Sequence, residues 1–224
     1  MSVEKMDYIE RNYKLIKERM VEQTDISLEY GREIIESELD AGALNVIVKP
    51  IVRAFYKYWS DKDARIGTLE QIRVTLDSAK ELVQNKEISK EQFDRVINKN
   101  FPVYLENDQT YRACRKNHSN YDKLKEITKQ SFITQVEESI LLLQTQEEVR
   151  DYNELSRVTF KTKENAYKAL KRQLDFNDAG ISIVEKDDSI LNVIAGKDII
   201  LKTLRKGFER TKEKLIEELD YIFN

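Results

Sequence analysis

The stretch that decides the fold is NELSRVTFKTKENAYKALKRQL (153–174), followed by DFNDAG (175–180) and ISIVEKDDSILNVI (181–194). The pattern predicts a helix over 147–158, a turn over 159–162 and a second helix over 163–174. After a loop, the β-branched runs 181–184 and 190–194 flank the turn-forming residues 185–189, which predicts a β-hairpin, with Gly180 supplying the break before it. Charge is concentrated in the same place. Arg157, Lys161, Lys163, Lys168, Lys171 and Arg172 face a single acid, Glu164, a local balance of +5 in a chain of net charge −3. Such a patch is what phosphate neutralisation requires, although a charge run is also what an ordinary solvated helix face presents.

Downstream, Leu201, Leu204, Phe208, Thr211, Leu215, Leu219 and Ile222 recur close to heptad spacing along a C-terminal helix over 197–223. That seam must be buried, either on the chain's own 121–143 segment or on a second copy, so a homodimer through the C-terminal helix is one expectation. Upstream, helical periodicity runs from Asp108 to about Gln146, with 117–120 as the interruption. Tyr111, Cys114, His118, Tyr121, Leu124, Thr128, Phe132, Val136, Ile140 and Leu143 share its inner face. Cys114 and His118 are spaced four apart, but the chain has no second Cys or His to complete a metal site and no orienting group for a nucleophile. A core or interface histidine is therefore expected, with no metal and no cofactor.

In the first half, Met6, Ile9, Tyr13, Ile16 and Met20 mark a helix ending near Gln23. Thr24 and Asp25 offer N-caps for a second helix that stops around 40–42. The most apolar run, ALNVIVKPIVRAFYKYW (43–59), is expected at the centre of the N-terminal core, with Pro50 opening or kinking its helix. Lys49, Arg53 and Lys57 lie four apart within it. They form a basic stripe that either snorkels at the core edge, binds a phosphate or carboxylate, or faces a membrane surface. Thr68 with Gln71 and Ser89 with Gln92 match the capping box and start two bundle helices, the second ending before Phe101-Pro102.

With 35% charged and 40% apolar residues, and only six Gly and two Pro among 224 residues, the chain is neither disordered nor all-β. The expected class is mainly α: a multi-helix bundle with one small β-hairpin near 181–194 and a long C-terminal helix. It divides into an N-terminal bundle (1–106) and a C-terminal region (107–224), or forms one continuous domain. A single cysteine excludes intramolecular disulfides and multi-cysteine zinc sites. With no signal-like apolar segment at the N-terminus and no spanning window, a cytoplasmic protein without membrane association is expected.

The order helix, turn, helix, hairpin resembles the winged helix-turn-helix family over roughly 153–194. The resemblance is carried by Leu155 and Ser156, Thr162 before the second helix, Ala166, Tyr167, Ala169 and Leu170 within it, and the 180–194 hairpin as the wing. Phe160 in the turn and the long 175–179 loop depart from that pattern. The resemblance implies a second helix in the major groove of double-stranded DNA. Lys161, Lys163, Lys168, Lys171 and Arg172 would then contact phosphates or bases, and Asn165 and Tyr167 bases or backbone. The N-terminal bundle would serve regulation or partner binding. The alternative is a helical protein-protein interaction or assembly module whose basic face is only solvated. No phosphate-binding glycine loop, hydrolase elbow or HExxH pair points to an enzyme.

Overall fold

The structure, a computed structural model, describes residues 3–40, 49–50, 53–54, 63–85, 87–114, 121–186 and 197–224. Among the described residues there are eight helices of six residues or more and no strand. They are α1 (Val3–Asp40), α2 (Arg65–Val83), α3 (Lys90–Glu106), α4 (Gln109–Cys114), α5 (Tyr121–Leu143), α6 (Tyr152–Phe160), α7 (Lys163–Lys186) and α8 (Lys197–Phe223). Each of α1, α2, α5, α7 and α8 packs on the next, and α8 returns to α1, so the five long helices close a ring. The α3 helix leans on α2 and α5 from outside, and α6 contacts α1, α5, α7 and α8.

The core draws on both sides of residue 106. Ile9 and Ile16 of α1, Leu76 and Leu82 of α2, Val96 of α3, Phe132 and Val136 of α5 and Leu155 of α6 belong to one buried cluster. The inner face expected of the 108–146 segment is recovered in Tyr111, Leu124, Thr128, Phe132, Val136, Ile140 and Leu143, all buried. Around Phe132, the rings of Tyr104 and Phe101 lie with centroids 4.6 and 6.1 Å away. The C-terminal seam is used inside the chain, against α1 and α7, so its burial requires no second copy.

Residues 175–186 are not a loop and a strand; they continue α7 to Lys186. Residues 187–194, the rest of the predicted hairpin, lie outside the described residues. The physical reason is a longer helical period that a local reading mistakes for alternation. Ala166, Leu170, Leu174, Asn177, Ile181 and Val184 step by three and four, and Ala166, Leu174 and Val184 are buried. Arg205 of α8 provides an independent check. Its guanidinium reaches Asp178, Ser182 (3.2 Å) and Glu185 (2.6 and 3.0 Å), three side chains that only a helix places on one face. Gly180 is therefore a mid-helix glycine, and a methyl group added there would meet nothing within 4 Å. Gly180→Ala is expected to stabilise the protein by about 0.5–1 kcal/mol in denaturant unfolding, because alanine restricts the unfolded chain without strain. A loss of stability would show that 175–186 is not helical.

Four further boundaries differ from expectation. Thr24 and Asp25 do not start a new helix. The Thr24 hydroxyl donates to the Met20 carbonyl (2.8 Å), and Asp25 receives the Arg65 guanidinium (2.7 and 3.1 Å), so α1 passes through. Thr68 lies inside α2, which starts at Arg65, and Gln71 instead donates to the Tyr104 carbonyl (3.4 Å). The Ser89–Gln92 capping box is formed as expected, but α3 runs through Pro102 to Glu106. Burial of Phe101, Tyr104 and Leu105 offsets the hydrogen bond that Pro102 cannot make, and Pro102 itself faces outward. Finally, α6 begins at Tyr152 rather than 147, where Asp151 accepts from the Glu154 N–H (2.9 Å).

Candidate functional site

Lys161, Lys163, Asn165, Tyr167, Lys168, Lys171 and Arg172 all lie on the exposed side of the α6–α7 corner. Thr162 caps α7, its hydroxyl accepting from the Asn165 N–H (3.2 Å), while the Asn165 side chain donates to the Phe160 carbonyl (3.0 Å). Lys161 closes α6 with φ 65°, the left-handed backbone that favours glycine. Four of the six cations are matched by acids, three of them by acids that the local charge count did not include. Lys163 pairs with Asp220 of α8 (2.5 Å), Lys168 with Glu164 (2.7 Å) and Lys171 with Asp175 (2.5 Å). Arg172 lies 3.6 Å from Glu137 and 3.8 Å from Glu138 of α5. The Arg157 guanidinium donates to the Ile222 carbonyl (2.9 Å). Asp175 and Asp220 fall outside the counted stretch, and Glu137 and Glu138 come from a neighbouring helix, so +5 in sequence is far less in space.

Of the Lys49, Arg53, Lys57 stripe, Lys57 lies outside the described residues, and Arg53 is engaged with Glu36 of α1 (2.5–2.9 Å), an exposed pair. His118 also lies outside them. Among the described residues no group of three or more His, Cys, Asp or Glu is placed to hold a metal ion, and no helix is long and apolar enough to cross a membrane.

The ring of helices surrounds a cavity of about 460 Å³ that sequence reasoning missed. Its wall is mainly apolar: Ile16 and Met20 from α1, Ile72 from α2, Ala166, Ala169 and Leu170 from α7, Leu215 and Leu219 from α8. Into this wall are set polar side chains from facing helices. Arg19 of α1 extends its guanidinium to Glu218 of α8 and Glu22 (2.7 Å). Burial disfavours its charge, yet Glu218 and Glu22 outweigh that and hold its pKa above the ordinary value. On α5, the Gln135 amide donates to the Tyr104 hydroxyl (3.0 Å) and the Ser131 hydroxyl (3.2 Å), and Ser131 in turn approaches Gln173 of α7 (3.4 Å). Glu138, one turn further along α5, stands beside Gln173.

Three atoms in this wall are buried without a hydrogen-bond partner: Arg19 Nε, Glu138 Oε1 and Gln173 Nε2. Burial pushes the Glu138 carboxyl up to about 8, against the lowering pull of Arg172 and Gln173. Tyr152 of α6 is pushed up to about 12, first by burial, with Arg19 lowering it and Glu138 and Glu218 raising it; all four residues line the cavity. Stranded donors and acceptors at a mainly apolar wall are what a ligand with a polar head and an apolar body satisfies. A sequence signal for this existed: Ser131, Gln135 and Glu138 recur by four and three, a polar stripe on a helix otherwise rich in apolar residues. Ala166 and Ala169 opposite them leave the room.

No family model, curated protein or solved structure matches the chain.

Proposed function

We propose that this chain is a small-molecule-binding protein that takes a mainly apolar ligand with one polar head into the cavity between α1, α2, α5, α7 and α8. The observation that carries this reading is the cavity itself. Its about 460 Å³ falls within the roughly 300–1,000 Å³ of ligand pockets, and it holds three buried polar atoms that make no hydrogen bond, contributed by three different helices. Purely structural packing leaves few such atoms, because each stranded group costs roughly 1–3 kcal/mol. Calorimetric titration with octan-1-ol, a minimal apolar chain with a polar head, tests it. Saturable binding is expected in the wild type, and its loss in Ala169→Phe, which fills the cavity, provided circular dichroism and melting show that variant folded. Absence of binding to the wild type counts against the reading.

A second reading keeps the outer face of α7 as a surface for double-stranded DNA. What favours it is the two-residue turn, residues 161 and 162, that leads into a capped helix with Lys168, Lys171, Arg172 and Tyr167 exposed. Exposed ion pairs contribute little individually, so phosphates can displace Glu164 and Asp175. Anisotropy of labelled mixed-sequence duplex DNA should then fall with added salt and vanish in Lys168→Glu/Lys171→Glu. Undetectable or salt-insensitive binding ends that reading.

A further inference from the structure

The structure assigns the cavity a charge preference: we infer that its ligand carries a protonated amine, and that the ammonium head is received by Glu138 of α5 with the apolar body lying along α1, α7 and α8. This rests on the ligand-binding reading above and goes on to name the class of ligand. Three charged side chains line the cavity, Arg19, Glu138 and Glu218, two acids to one cation. Arg19 is already committed, since its terminal nitrogens hold Glu218 and Glu22. That leaves the Glu138 carboxyl as the acid not held by Arg19, its Oε1 buried and making no hydrogen bond, with Arg172 Nη2 3.8 Å away.

Among the described residues the cation paired with Glu138 is Arg172, whose Nη2 lies 3.8 Å from that same Oε1 and whose Nη1 lies 3.6 Å from Glu137. An anionic head would keep Glu138 protonated and lie beside the Glu218 carboxylate, and with Arg19 already shared by Glu218 and Glu22 it would find no free cation among the described residues of the cavity wall. An ammonium head supplies the charge-assisted hydrogen bond that Arg172, at 3.8 Å, does not make to Glu138.

Proton linkage follows. The groups around Glu138 are Glu137 on its own helix, Arg172 and Gln173 on α7, Tyr152 on α6, and Arg19 and Glu218 of α1 and α8, which act on Tyr152. With burial dominant, Glu138 holds its proton at neutral pH. Binding of an alkylammonium makes the carboxylate the favoured form, so the proton leaves to solvent as the ion pair forms.

The test uses the full chain and three probes that share an eight-carbon tail: octylamine, octan-1-ol and octanoate. Calorimetry at pH 7 is expected to rank octylamine about tenfold tighter than octan-1-ol, with octanoate weakest. Repeated in buffers of different ionisation enthalpy, octylamine binding is expected to release close to one proton and octan-1-ol binding none. In Glu138→Gln, the preference for octylamine over octan-1-ol should fall to about onefold. Equal binding of amine and alcohol in the wild type, or tighter binding of octanoate, overturns the amine assignment while leaving a ligand-binding cavity in place. Failure of all three probes overturns both.

Discussion

Gly67→Ala is expected to destabilise the protein by about 2–3 kcal/mol, read as a lower denaturant midpoint at unchanged slope. Gly67 is buried in the first turn of α2, where the chain leaving α3 crosses it. A methyl carbon built there would lie 2.6 Å from the Asn107 carbonyl oxygen and 3.0 Å from Gln109 Nε2. Neither neighbour can retreat cheaply. The Asn107 N–H is bonded to the Tyr104 carbonyl (3.2 Å) at the end of α3, and the next residue's N–H to Leu105 (3.1 Å). The Gln109 amide is anchored on the Asp63 carbonyl (2.8 Å). The expected overpacking therefore falls on backbone held at both ends. Gly67→Ala and Gly180→Ala make a matched pair in two helices of one bundle, with opposite signs expected. Equal effects would show that close approach at Gly67 is not what distinguishes them.

Replacing the Glu138 carboxyl by an amide is expected to stabilise the protein in a pH-dependent way, by about 2 kcal/mol at pH 9 and by little below pH 4. Burial raises the carboxyl in the folded state from its ordinary 4.5 to about 8. Between those two values the folded protein holds a proton that the unfolded chain has lost, so the wild type loses stability as pH rises through that window and levels off above it. Glu138→Gln removes that loss. The magnitude is set well below the full nominal shift because the side chain is 17% exposed and water relaxes around its charge. Urea unfolding of both proteins between pH 4 and 9 reads the difference directly. A gap that does not widen with pH would place Glu138 in contact with solvent.

Mainly α was legible from breaker content and periodicity, and the Ser89–Gln92 box and the inner face of α5 were legible residue by residue. The features that were missed share a cause, which is that a local pattern had a tertiary competitor. Ile181, Ser182 and Ile183 alternate like a strand, but Ser182 belongs with Asp178 and Glu185 around Arg205, a partner 20 to 27 residues away. Thr24 and Asp25 look like caps, yet Asp25 is taken by Arg65 and Thr24 bonds back to its own helix. Pro102 reads as a stop, but the aromatic packing of Phe101 and Tyr104 on Phe132 carries α3 past it.

The basic stretch shows the same limit in charge. Counting along 157–174 finds six cations, whereas Asp220 and Glu137 are brought to them by folding. The cavity was the least legible feature because residues from seven helices line it. Each contributes a few small or polar positions that mean little alone, and Glu138 acquires its character from burial rather than from sequence neighbours.

The most direct test of the central claim is a methyl-resolved NMR titration of the full chain with octylamine. Saturable shifts are expected at Ile16, Ile72, Ala169, Leu170 and Leu215, which line the cavity, with Leu141, 51% exposed on the outer side of α5, left unmoved. Shifts that do not saturate, or that appear at Leu141 and other exposed methyls while the cavity methyls stay still, would contradict a ligand site inside the helical ring.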